Sequence, residues 1–189
     1  MTWYVIDGMD GSGKSTIADR LRRILESEGR TVSVFTHPDR SRTFGRISAR
    51  FLLSDGVPAA VAATVFYLLD IVSSLAAMRR VGSDDFVFVR YSLAAAYLPT
   101  RLYRIGYRII DGALPSPDMR IFVDVGPDTA LERIDRRGED REMFETRERL
   151  EKTRGRMREL AEGWMVIDNS SDPDHAEKQL RKALEAHMS

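Results

Sequence analysis

The sequence predicts an α/β fold of three layers, α/β/α, built on a five-stranded parallel sheet. Three observations predict it. Short apolar segments alternate with amphipathic helical runs along the chain, the order that gives parallel strands with helices on both faces. The opening segment passes through a glycine-rich loop straight into a helix. Asp85–Val89 is almost wholly apolar, as suits a central strand covered on both sides. At 189 residues the expectation is one domain spanning residues 1–189.

Thr2–Asp7 reads as the first strand and about Lys14–Glu28 as the first helix, with Ile17, Leu21, Ile24 and Leu25 on one face and Gly29 ending it. Thr31–Phe35 is a short strand, followed by the loop His37-Pro38-Asp39-Arg40-Ser41-Arg42 and a helix over about Thr43–Leu53. Ser54-Asp55-Gly56 breaks that helix. A long apolar helix then runs to about Val81. After the strand Asp85–Val89, helical segments at Ser92–Tyr97 and Thr100–Asp111 flank Pro99. Arg120–Val125 is the fourth strand, Thr129 to about Arg136 a helix, and Phe144–Glu162 a longer one. Trp164–Ile167 is the fifth strand and Pro173–His187 the closing helix.

Lys+Arg and Asp+Glu both number 29, so no global field draws the chain to nucleic acid or to a membrane surface. Without cysteine there is no disulfide, cysteine zinc site or thiol nucleophile, and a reducing cytoplasm is permitted. The first residues enter a strand directly, so no leader is expected. Gly56–Met78 is long and apolar enough for a bilayer, yet it carries Asp70, Pro58, Ser73 and Ser74. A helix buried on both sides is the expectation there rather than a span.

The chemistry starts at Gly8-Met9-Asp10-Gly11-Ser12-Gly13-Lys14-Ser15-Thr16, which fits G-x-x-x-x-G-K-[ST] between a strand and a helix. The glycines permit a tight turn that points backbone N–H groups at phosphate oxygens. Lys14 adds charge for the outer phosphates, the Ser15 hydroxyl suits Mg2+, and the helix N-terminus favours the anion. Ligands of a parallel sheet bind beyond the carboxyl ends of its strands. Two further strands end there in Pro38-Asp39-Arg40-Ser41 and in Arg90-Tyr91. Arginines from two strand ends can clamp a second phosphate facing the first. A third cluster, Leu131 to Arg141, holds four arginines broken by Gly138. It reads either as a flap over transferring phosphates, at about 136–144, or as a solvated helix end.

These residues resemble thymidylate kinase, a family of nucleoside monophosphate kinases. The likeness lies in Ile6 to Thr16, in Pro38-Asp39-Arg40-Ser41 with Gly45-Arg46-Ile47, and in Arg120-Ile121-Phe122-Val123-Asp124-Val125 with Pro127. It continues through Ala130 to Ile134, Arg136-Arg137-Gly138 and Val166-Ile167-Asp168. The resemblance implies a P-loop nucleotide kinase fold and transfer of the ATP γ-phosphoryl group to a (deoxy)nucleoside monophosphate such as dTMP, with Mg2+. It implies that Arg40 and Arg90 hold the acceptor phosphate, that Asp10 faces the acceptor sugar, and that Pro38, Phe66, Tyr67 and Tyr91 line the acceptor. Gly11 stands where one subgroup carries an arginine. The other subgroup takes its catalytic arginine from the flap, which makes Arg133, Arg136, Arg137 and Arg141 the candidates. A homodimer through the helix of residues 56–80 is implied as well.

The chain departs from the family pattern in three places. Val89 precedes Arg90 where the family carries an aspartate that organises Mg2+, a role left to Asp7 or Asp124. Phe66 is followed four residues on by Asp70, and Tyr67 by Ile71, so the family's base-reading arginine is missing. The serine and glutamine expected around Ala94–Leu98 are replaced. The alternatives to a dTMP kinase are a kinase for another nucleotide or small phosphorylated acceptor, and a nucleotide-binding regulatory protein without turnover.

Overall fold

The structure, a computed structural model, describes residues 1–54, 56–137, 145–170 and 172–188. Its strands are β1 (Thr2–Asp7), β2 (Val32–Thr36), β3 (Asp85–Val89), β4 (Met119–Asp124) and β5 (Met165–Asp168). They form one parallel sheet in the order β2-β3-β1-β4-β5. The first strand therefore lies at the centre, where the winding reverses and a crevice opens beyond the strand ends. The helices are α1 (Lys14–Ser27), α2 (Thr43–Leu52), α3 (Val57–Met78), α4 (Tyr103–Ala113), α5 (Pro127–Arg137), α6 (Arg147–Leu160) and α7 (Pro173–Met188). The expected helix at Ser92–Tyr97 is a 3-10 turn over Leu93–Tyr97, and the expected start at Phe144 lies outside the described residues.

Alternation along the strands divides the core in two. Tyr4, Ile6, Val87, Val89, Ile121 and Val123 face one way and pack on Leu21 and Leu25 of α1 and Leu180 and Leu184 of α7. Trp3, Val5, Phe86, Phe88 and Phe122 face the other way, onto Tyr67 and Ile71 of α3, Ile110 of α4, Ile134 of α5 and Met157 of α6. Each central strand thus buries both faces, which is why its sequence reads as a continuous apolar run.

The long apolar helix departs from expectation. α3 is not buried on both sides: Val61, Val65, Leu69 and Val72 are 39–52% exposed and, at spacings of four, four and three, form one outward stripe. The opposite side carries Tyr67, Asp70 and Ser74, all buried. Among the described residues α3 is the one helix long and apolar enough to cross a membrane. Its inner face, however, is committed to polar contacts within the protein.

α2 lies tightly against the loop after β2. A Cβ on Gly45 would run into the backbone of Asp39. Alanine gains up to about 1 kcal/mol of helix propensity over glycine, whereas overpacking costs about 1–3 kcal/mol. Gly45→Ala should therefore lower the urea midpoint, and an unchanged or raised midpoint would refute this packing.

Candidate active site

The loop between β1 and α1 owes its shape to two left-handed glycines, Gly11 (φ +72°) and Gly13 (φ +88°). A Cβ on Gly11 would also strike the carbonyl of Ala130, and one on Gly13 the side-chain amide of Asn169. Lys14 is buried, and its Nζ donates to the Met9 carbonyl at 2.6 Å. Ser15 and Thr16 are exposed at the first turn of α1, where backbone N–H groups have no helical partner. This is an anion cradle by geometry and by sign of charge.

Beside it, Arg90 has a left-handed backbone (φ 67°), alone among the described non-glycine residues, and such strain persists only where surroundings over-determine it. Six contacts do so. The Arg90 N–H donates to the Ile6 carbonyl at 2.9 Å. The next amides, Tyr91 at 2.9 Å and Leu93 at 3.0 Å, donate to one oxygen of Asp7. His37 Nδ1 lies 3.2 Å from the Arg90 carbonyl. The guanidinium forms an ion pair with Asp10 and also reaches the His37 carbonyl at 3.4 Å.

Asp10 is the electrostatic centre of the crevice. Burial pushes its carboxyl up, but Arg90 first, then Lys14 and the Tyr97 hydroxyl, outweigh burial and hold it well below the usual carboxylate range. Tyr97 donates to Asp10 at 2.6 Å, and burial together with that carboxylate pushes its own hydroxyl far up. Tyr97 also walls a cleft of about 390 Å³ with Ala60, Ala96, Leu98, Arg149 and Thr153. The apolar wall and cationic rim suit a planar, anionic small molecule.

The loop carrying Arg40 is tied to α3. The Asp39 amide donates to Asp70 Oδ2 at 2.7 Å, Arg42 donates to Ser74 Oγ at 2.7 Å, and His37 Nε2 meets the same hydroxyl at 2.9 Å. Pro38 is half-buried and Arg40 exposed at the loop's tip.

Several expected site residues are placed elsewhere. Tyr67 is buried in the core with its hydroxyl on the Tyr91 carbonyl at 2.9 Å. Tyr91 is likewise buried, its ring edge-on to Trp3 and its hydroxyl on the Pro115 carbonyl. Both aromatics are buried and hydrogen-bonded within the core. Phe66 stacks between α2 and α3, 6.0 Å from Phe51 at 8° and 6.5 Å from Phe44.

Neither carboxylate expected to help with Mg2+ is disposed to do so. One oxygen of Asp7 accepts from the Gly8 amide and the other from Tyr91 and Leu93, and burial pushes its carboxyl up. Asp124 is gripped by Arg154 at 2.8 and 2.9 Å and by Arg158 at 2.8 Å. Val89, where the family has aspartate, is buried against α1.

Of the flap arginines, Arg133 lies at the cradle and donates to the Asn169 carbonyl at 2.9 Å and the Gly11 carbonyl at 3.5 Å. Arg136 is exposed and pairs with Glu132 at 3.7 Å. Arg141, the rest of the flap over 138–144 and the Arg137 side chain lie outside the described residues. Sequence reasoning missed Tyr97, Asn169, Arg154 and Arg158. Tyr97 follows Arg90 closely in the chain, but the other three are joined to the site only by long-range contacts, with no spacing to signal them.

A model of the thymidylate kinase family matches residues 6–180. A probable thymidylate kinase of Archaeoglobus fulgidus is 28% identical over 193 residues, covering 97% of this chain and 94% of that one. A thymidylate kinase of Xanthomonas campestris is 29% identical over 199 residues, covering 97% and 82%. The solved thymidylate kinase of Candida albicans superposes with a TM-score of 0.79 at 19% identity, covering 99% of this chain and 92% of that one, and so shares the fold.

The buried His37 supplies a pH test. Burial lowers its pKa from 6.5 to about 4, so below pH 6.5 the unfolded chain takes up a proton that the folded one refuses. Stability is then full above pH 6.5 and falls toward pH 4. The expected loss is about 3 kcal/mol from this group. The stability gap between wild type and His37→Gln should shrink by that amount between pH 7 and 4, measured by denaturant titration. A gap that holds constant would show that His37 titrates normally.

Proposed function

The chain belongs to the thymidylate kinase family, ATP-dependent nucleoside monophosphate kinases, and from that premise we propose how its residues move the γ-phosphoryl group from ATP to dTMP. The observation that carries the reading is the meeting of the phosphate cradle with the Arg90–Asp10 pair at the end of the central strand.

Lys14 and the amides of residues 13–16 hold the β- and γ-phosphates in the cradle. The left-handed backbone at Gly11 and Gly13 gives the loop the tight turn that such a cradle requires. For Mg2+ the chain offers the exposed Ser15 hydroxyl, with phosphate oxygens and water completing an oxygen shell of the usual kind. When bound, Mg2+ neutralises charge developing on the transferring group. Asp7 and Asp124 are spent on amides and guanidinium groups, so this chain asks little of protein carboxylates there.

On the acceptor side Arg90 and Arg40 orient the phosphate whose oxygen attacks the γ-phosphorus. A P–O bond forms to that oxygen as the bond to the β-phosphate oxygen breaks, leaving ADP and a nucleoside diphosphate. No covalent enzyme intermediate is needed, only positioning and charge. Arg90 exchanges part of its Asp10 contact for the acceptor phosphate, and Asp10 then turns to the sugar beside Tyr97. The base enters the cleft walled by Ala60, Ala96 and Leu98. Because Asp70 is buried on the Asp39 amide, shape rather than an arginine selects the base. Arg137 or Arg141 supplies the flap cation over the transferring group.

The stripe Val61, Val65, Leu69 and Val72 supports a homodimer packed through α3. Each contact along it removes apolar surface from water at about 25 cal/mol per Å². Nucleic acid and membrane are not partners of this neutral chain in our reading, and a cysteine-free nucleotide enzyme suits the cytoplasm.

Three outcomes are expected. With Mg-ATP and a panel of monophosphates, dTMP should turn over best. Turnover of another acceptor alone would move the specificity, and binding without turnover would leave a regulatory protein. Lys14→Ala should cut kcat about 10²–10³-fold with circular dichroism unchanged, and normal turnover would remove Lys14 from the donor site. Leu69→Asp should shift the sedimentation coefficient from dimer to monomer, whereas an unchanged coefficient would place the interface elsewhere.

A further inference from the structure

The turn after β5 touches the cradle from behind. The side-chain amide of Asn169 donates to the Ser12 carbonyl at 2.8 Å. Its own backbone amide donates to the Asp124 carbonyl at 2.9 Å, and its carbonyl accepts from Arg133 at 2.9 Å. A peptide unit is planar and trans, so its C=O and N–H point in opposite directions. Pulling the Ser12 carbonyl outward therefore aims the Gly13 N–H inward, at the position of the phosphate. Gly13 leaves the room for this contact, since a Cβ there would collide with the Asn169 amide.

We infer that Asn169 is a positioning residue of the donor site: it fixes the Ser12–Gly13 peptide plane so that the Gly13 amide is presented to the nucleotide phosphates. Arg133 acts on the neighbouring plane. Its contact with the Gly11 carbonyl turns the Ser12 amide toward the Met9 carbonyl, where it donates at 3.2 Å. In this chain Arg133 braces the cradle and Asn169 at once.

The inference rests on the donor-site reading, and the test separates the two. The turn is tied to β4 by the Asn169 backbone, not its side chain, so Asn169→Ala keeps the turn in place. Titration of Mg-ATP into Asn169→Ala should show about tenfold weaker binding. The KM for ATP should rise by a like factor, with the acceptor KM and the Tm unchanged. Asn169→Asp, equal in size but with no N–H toward the Ser12 carbonyl, should weaken Mg-ATP binding at least as much, and it serves if the alanine variant fails to fold. Wild-type Mg-ATP affinity in either folded variant would overturn the inference. So would an equal loss for donor and acceptor, which is the signature of a merely structural role. Failure of the wild-type protein itself to bind Mg-ATP would overturn the donor-site reading instead.

Discussion

Both halves of the crevice depend on one buried carboxylate at the end of the central strand. Asp7 accepts the Gly8 amide with one oxygen and the Tyr91 and Leu93 amides with the other. The first contact fixes where the phosphate cradle leaves the sheet. The other two fold the chain after β3 back on itself and hold Arg90 in its left-handed conformation. A charged or neutral carboxyl satisfied by backbone N–H groups costs little to bury, whereas one left without them would cost several kcal/mol. The loop before α1 and the turn carrying Arg90 are thus registered against each other through a single side chain.

Around that point charge is balanced locally rather than by solvent. Asp10 lies between Arg90 and Lys14 with Tyr97 completing its shell, so the crevice carries its cations already partly desolvated and held in place. An incoming phosphate has only to compete for contacts, not to strip water from free cations, which is the sense in which such a site is preorganised. On the far side Asp124 plays a comparable part for α6 through Arg154 and Arg158, and Arg147 of α6 pairs with Asp128 of α5.

The sheet and the cradle were legible in the sequence because each rests on local signals: apolar runs bounded by turns, and a loop whose glycines and lysine have fixed spacing. Arg90 was legible because strand ends converge by topology. The burial of Tyr67 and Tyr91 was not legible for a physical reason, since an aromatic has the same composition whether it stacks on a ligand or, as Tyr91 does, on Trp3. The two sides of α3 were misjudged similarly, because hydropathy records that Val65 and Leu69 avoid water but not what covers them. Asn169 left no mark, because its role arises from a contact spanning 157 positions in the chain.

α3 is a rod about 10 Å across with two different jobs on its two sides. Inward, Tyr67, Asp70 and Ser74 hold the chain around Arg90 and the loop bearing Arg40. Outward, its aliphatic ridge faces away from the sheet. A helix is stiff across its width, so whatever packs on the ridge bears on the same rod that holds the chain around Arg90 and the loop bearing Arg40.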